Sequence, residues 1–108
     1  MFGKELILDL ENCKSIKKKM LKDYVYKLCN LIDIERYGKC HIEWFGKPPF
    51  EGYSLFQFVT TSSITGHFTK TKAYINIFSC KDFNIEKIKK FSIHWFKADL
   101  NNVYCIRR

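Results

Sequence analysis

The chain has 108 residues, is 46% hydrophobic and 17% aromatic, and carries a formal net charge of +8. That length suits one domain with one core, read here as residues 1–108, and that apolar content excludes a disordered tail. No apolar run approaches the ~18 residues that span a bilayer, and no basic segment precedes an apolar signal stretch, so a soluble cytoplasmic protein is expected.

Lys4 to Leu10 alternates and predicts a first strand, with Asn12 to Lys14 as its exit turn. Ser15 is the expected N-cap of a helix reaching about Ile32, with Leu21, Val25, Leu28 and Ile32 at helical spacing and Tyr24 and Leu31 widening the stripe. Lys17, Lys18, Lys19 and Lys22 fall on its polar side, which reads as a solvated face. Tyr37-Gly38 breaks the chain before a second strand at Lys39 to Phe45, and Gly46 to Gly52 is a loop rich in breakers. A third strand is expected at Ser54 to Val59, a Thr/Ser loop after it, and a fourth strand at Ala73 to Ser79. Asn84 caps a second helix to about Trp95, and Val103 to Ile106 can add a last strand.

The order βαβββαβ predicts an α+β fold: a two-layer α/β sandwich, mostly antiparallel, with both helices on one face. Tyr74, Asn76 and Phe78 share one face of their strand and Ile75 and Ile77 the other. Apolar residues on both faces predict burial on both sides, hence a homodimer.

Five cysteines (Cys13, Cys29, Cys40, Cys80, Cys105) form an odd set with no C-x-x-C pair. That speaks against a zinc ribbon and a secreted disulfide framework. His41, His67 and His94 lie far apart, so no metal site is expected. Lysine outnumbers arginine sixteen to three, and nucleic acid is not the expected partner despite the charge.

Chemistry concentrates in Thr61-Ser62-Ser63-Ile64-Thr65-Gly66-His67, with Cys80 thirteen residues on. A hydroxyl, an imidazole and a thiol follow one another between two strand-like runs. This segment resembles the self-processing loop of the short prokaryotic S-adenosylmethionine decarboxylases, whose loop reads Glu-Ser-His-Leu-Ser/Thr-Ile-His-Thr-Trp-Pro-Glu. The opening Gly3-Lys4-Glu5-Leu6-Ile7-Leu8 and the strand Ala73-Tyr74-Ile75-Asn76-Ile77-Phe78-Ser79-Cys80 are similar to other family segments, and Ser54 stands eight residues before Ser62 as a family serine does. The similarity covers nearly the whole chain.

The resemblance implies a carboxy-lyase of polyamine (spermidine) synthesis whose cofactor is a pyruvoyl group made from Ser62, with self-cleavage at Thr61–Ser62. It implies an attack of the Ser62 hydroxyl on the Thr61 carbonyl, giving an ester that elimination opens. It gives His67 the removal of the α-proton, Ser54 the steadying of the processing intermediate, and Cys80 the later protonation of the decarboxylated carbon. An unperturbed imidazole titrates near ~6.5, which suits proton transfer near neutrality. Trp44, Phe45 and Phe50 can stack on a flat substrate group, and Ser63 is both a substrate contact and the competitor of Ser62 as precursor. In the dimer, Ser62, His67 and Cys80 are expected to converge at one end of the sheet.

Thr61 replaces the family glutamate, Ser63 the histidine, and Trp-Pro-Glu has no counterpart after His67. The resemblance makes S-adenosylmethionine the first expected small-molecule substrate, and the missing segment, whose family glutamate is implicated in holding the substrate ribose, brings in ornithine or arginine as alternatives. Two further readings come from other classes. One is an inactive homologue that regulates an active partner. The other is an RNA-binding module, since Glu51-Gly52-Tyr53-Ser54-Leu55-Phe56-Gln57-Phe58 loosely matches an aromatic RNP1 strand.

Overall fold

The computed structural model describes residues 2–108. Six strands and two helices follow in the order β1 (Lys4–Glu11), α1 (Lys18–Ile32), β2 (Arg36–Phe45), β3 (Gly52–Val59), β4 (Ser62–Phe68), β5 (Ala73–Ser79), α2 (Ile85–Phe96) and β6 (Leu100–Arg107). One sheet, ordered β2-β3-β4-β5-β1-β6, holds all six strands. Every pairing is antiparallel. The α+β sandwich expected from the sequence is the observed fold.

Strict alternation builds the core. Leu6, Leu8 and Leu10 of β1 face the helices with Ile64 and Phe68 of β4 and Ala73, Ile75 and Ile77 of β5, each at most 1% exposed. The two helices complete that layer through Leu21, Tyr24, Val25, Leu28, Ile88 and Phe96. Tyr24 joins them: its hydroxyl lies 2.7 Å from Ser92 Oγ, and its ring packs 4.8 Å from that of Phe96. A buried phenol needs such a partner, because an unpaired polar group in the core is costly.

Helix ends follow local chemistry. The side chain of Asn84 accepts the Lys87 N–H at 3.1 Å, the expected N-cap. α1 starts three residues after Ser15, with Lys17 as its N-cap and no side-chain capping bond. Both helices end on a left-handed residue, Asp33 (φ 60°) and Lys97 (φ 52°). In each case the next backbone N–H reaches back into the helix, Ile34 to Cys29 and Ala98 to Ile93.

The principal departure from expectation is β4. The Thr/Ser segment is a regular strand paired with both neighbours, so the order is βαββββαβ. Its inward positions are Ser62, Ile64, Gly66 and Phe68; Ser63, Thr65 and His67 point to the open face. β2 also starts earlier than expected, at Arg36, through a bulge between Tyr37 and His41 where Gly38 has φ 77°. The buried Gln57 serves that bulge, its amide N–H groups reaching the carbonyls of Tyr37 (3.3 Å) and Gly38 (3.1 Å).

Candidate active site

The four candidate catalytic residues lie on two strands, Ser54 on β3 and Ser62 and His67 on β4, and in the turn after β5, Cys80. β3 and β4 form a hairpin whose tight turn is Thr60-Thr61, and Ser62 pairs with Val59 on one side and Ser79 on the other. Thr61 is left-handed, at φ 61°. A β-branched residue there is strained, at a cost on the order of 1–3 kcal/mol. The strain falls on the residue that precedes Ser62.

The Thr61 carbonyl accepts the Cys80 N–H at 3.2 Å. The Ser62 hydroxyl donates to Ser79 Oγ at 2.7 Å, and Ser79 Oγ also accepts the Lys81 N–H at 3.0 Å. Lys81 extends to the end of α1, where its ammonium meets the Asp33 carbonyl at 2.7 Å and Asp33 Oδ2 at 3.0 Å. Ser62, Cys80 and the Thr61 carbonyl thus form one bonded group. Cys80 is partly exposed and borders a cavity of about 220 Å³ with Phe2, Gly3, Asp82 and Arg107. Ser79 escaped the sequence reading; its signal was a polar residue on the inward parity of Ala73, Ile75 and Ile77.

His67 and Ser54 form a second group. They are direct cross-strand partners, with His67 Nδ1 3.1 Å from Ser54 Oγ. His67 Nε2 lies 3.0 Å from the Phe50 carbonyl. A carbonyl only accepts, so Nε2 carries a proton, and in the neutral ring Nδ1 accepts the Ser54 hydroxyl. Gly52 makes room for this: a Cβ there would strike the Phe68 carbonyl and stand 3.1 Å from Nε2.

These two groups do not converge within one chain. Five steps of unbroken ladder separate Ser62 from His67. At ~3.4 Å per residue that is ~17 Å, and the odd spacing puts the two side chains on opposite faces. Ser63 has the parity of His67 and faces the open side.

The expected substrate contacts are also divided. Phe50 is exposed and shares a cavity of about 260 Å³ with His67, Thr69, Lys72 and Tyr74. Trp44, half exposed, packs edge-on against Tyr53 at 4.8 Å and borders a neighbouring cavity with Pro49, Glu51 and Thr69. Phe45 lies on the other face of β2, beside Gly52. Trp44 and Phe45 therefore cannot stack on one group. The sequence reading did not single out Glu51, which sits where the loop enters β3.

The open sheet face is apolar. Phe56 and Phe58 are 40% and 56% exposed, and Tyr104 and Ile106 53% and 47%. His41 stacks on Phe56 at 4.4 Å, and Phe58 meets Phe56 edge-on at 5.3 Å. Tyr74 and Phe78 are half-buried on the same face. Six strands carry this surface, against the four of an RNA-recognition platform. Among the described residues no group of three or more His, Cys, Asp or Glu could hold a metal ion. No helix is long and apolar enough to cross a membrane.

A search of curated protein sequences found no match. Among solved structures, the crystal structure of the adenosylmethionine decarboxylase from Aquifex aeolicus VF5 superposes with a TM-score of 0.78 at 12% identity. The match covers 99% of this chain and 90% of that one, so the two share a fold. The family model for S-adenosylmethionine decarboxylase matches residues 4–108. With nearly its whole length matched, the chain belongs to the S-adenosylmethionine decarboxylase family.

Proposed function

We propose that the chain is a self-processing decarboxylase that works as a homodimer, each site combining the Ser62 end of one copy with the His67 end of the other. The carrying observation is the ladder that holds Ser62 and Cys80 ~17 Å from His67 and Ser54 in a single chain. Proton transfer needs hydrogen-bond reach, which that separation denies. A two-fold stacking of open faces, with the strands running oppositely, brings one copy's His67 to the other's Ser62 end, where it approaches the backbone that carries the α-proton while the Ser62 hydroxyl stays on the helix side. The exposed Phe56, Phe58, Tyr104 and Ile106 supply the apolar surface for that contact.

The local geometry supports cleavage at Thr61–Ser62. The Ser62 hydroxyl attacks the Thr61 carbonyl carbon, while the Cys80 N–H holds the carbonyl oxygen as negative charge builds there. The Thr61–Ser62 C–N bond then breaks, the hydroxyl proton passing to the Ser62 nitrogen, which leaves an ester and relieves the left-handed Thr61. Of the two serines, Ser62 follows the strained, N–H-bonded carbonyl; the bond before Ser63 lies inside the regular ladder. The α-proton of Ser62 then passes to Nδ1 of the partner's His67, the ring nitrogen without a proton, as the Ser54 hydroxyl turns from it to the intermediate; elimination releases the Thr61 carboxylate and leaves dehydroalanine, which water converts to the pyruvoyl group and ammonia.

The residues present fit a pyruvoyl cofactor formed at Ser62, which supplies an electron sink for decarboxylation once joined to the substrate amine. The Cys80 thiol, open to the adjoining cavity, delivers a proton to the substrate carbon. S-adenosylmethionine is the first substrate, within polyamine synthesis. Trp44 and Glu51, sharing one cavity, supply the ring and the carboxylate that a flat cationic substrate requires.

Mass spectrometry of the denatured protein tests processing: two fragments divided at Thr61–Ser62 are expected, and a single intact chain after long incubation refutes it. Carbon dioxide release from S-adenosylmethionine, ornithine and arginine then ranks the substrates. Release from none of them by a fully cleaved protein refutes the decarboxylase reading.

A further inference from the structure

Lys4 is 7% exposed, at the inward end of β1, and is the only buried cation among the described residues. Burying an ammonium is unfavourable unless its donors are used. Its partners are the Phe83 carbonyl and Asp82 Oδ1, the latter at 2.5 Å, and its charge also lies 4.7 Å from the centre of the Phe83 ring. The Asp82 side chain is 89% exposed. An ion pair with one end in water adds little to stability, and an apolar residue would fill the Lys4 site at no greater cost. Stability alone does not account for a lysine here.

What Lys4 holds is the turn after β5. Asp82 Oδ1 accepts the Phe83 N–H at 3.0 Å as well as the Lys4 ammonium, which fixes residues 82 and 83 together. Two residues upstream in the same turn, the Cys80 N–H reaches the Thr61 carbonyl. Gly3, the neighbour of Lys4, packs its backbone onto this segment: a Cβ would strike the Ser79 carbonyl and stand 3.0 Å from Cys80 Cα. Only glycine permits that approach.

We propose that Lys4 is a positioning residue: through Asp82 and the Phe83 carbonyl it pins the 80–83 turn, so that the Cys80 N–H stays on the Thr61 carbonyl and the thiol stays on its cavity. Its kinetic consequence rests on the self-processing reading above; its structural consequence does not. The pairing with Lys4 also holds the Asp82 carboxyl below the usual range, chiefly by hydrogen bonding, so the clamp is charged at neutral pH.

The test uses the full chain with Lys4→Met, Lys4→Arg and Asp82→Asn, and Lys19→Met as a control that breaks an ion pair on α1. Two readouts are local to Cys80: amide exchange resolved to its N–H, and the rate at which iodoacetamide alkylates its thiol. Lys4→Met is expected to lower Cys80 amide protection roughly tenfold, as loss of one charge-assisted hydrogen bond implies, and to speed alkylation. Cleavage at Thr61–Ser62 should slow by a similar factor, with Lys4→Arg recovering part of each loss. Should Lys4→Met not fold, Asp82→Asn carries the test, since its side chain stands in water. Wild-type protection and alkylation at Cys80 in Lys4→Met and Asp82→Asn overturn the proposal. Lost protection in a chain whose wild type never cleaves leaves this inference standing and removes the self-processing reading.

Discussion

The two ends of β4 differ in how they are held. At the Ser62 end nearly every group is tied: Thr61 to Cys80, Ser62 to Ser79, Lys81 to Asp33, and Lys4 to Asp82. At the His67 end the imidazole has Ser54 and one loop carbonyl, and beside it lies an open cavity. The difference matches the two kinds of work proposed for these ends. A nucleophile next to its target carbonyl needs a fixed geometry, whereas a proton-transferring group supplied to another chain needs an accessible face.

The largest effects should come from the tied end. Ser62→Ala is expected to abolish cleavage, while Ser63→Ala, on the open face, should still give two fragments divided at Thr61–Ser62. Cleavage in Ser62→Ala would move the scissile bond and break the comparison. Next comes the other end: His67→Ala should slow cleavage by roughly 10²- to 10⁴-fold, the usual contribution of a positioned acid or base. Time courses by denaturing gel read both.

A smaller loss is expected for Ser79→Ala, which removes the acceptor of the Ser62 hydroxyl. Cleavage should slow roughly tenfold, the loss of about one hydrogen bond, with little change at His67. An unchanged rate would show that Ser79 only packs.

Thiol chemistry sharpens the contrast without perturbing the fold. Burial pushes the Cys13 and Cys29 thiols up to about 11, and raises that of Cys40. At pH 8 the folded chain should therefore label at Cys80 and Cys105 alone, as read by peptide mass spectrometry. The smallest effect is on pH. The Asp82 carboxyl is depressed in the folded chain, so its contribution is complete above its unfolded value, near ~3.9, and is lost as pH falls through the folded one. Cys80 amide protection, corrected for intrinsic exchange, should thus hold at pH 5 and fall only in stronger acid.

Periodicity made much of the fold legible. The alternation of β1 and β5, the stripe of α1 and the Asn84 cap of α2 all stand where the residue spacing puts them. β4 did not, because hydroxyls and a glycine give it a turn-like composition while only Ile64 and Phe68 mark its buried side. That misreading governed the site. Ser54, Ser62, His67 and Cys80 were identifiable by order, but as a loop the Ser62–His67 segment could fold back on itself. As a strand it holds them apart, and the expected convergence at one end fails within a single chain. Lys4 and Ser79 were hidden for another reason: their roles depend on partners 78 and 17 residues away, at Asp82 and Ser62.

Complementation tests the shared site most directly. Ser62→Ala and His67→Ala chains, tagged to differ in mass, are expressed separately and together. Alone, the Ser62→Ala chain should stay intact and the His67→Ala chain should cleave only at its slowed rate. Together, the His67→Ala chain should be cleaved at Thr61–Ser62 by the histidine of its Ser62→Ala partner, which itself stays whole. Two intact chains in the mixture, under conditions where the wild type cleaves, would contradict a site built from two copies.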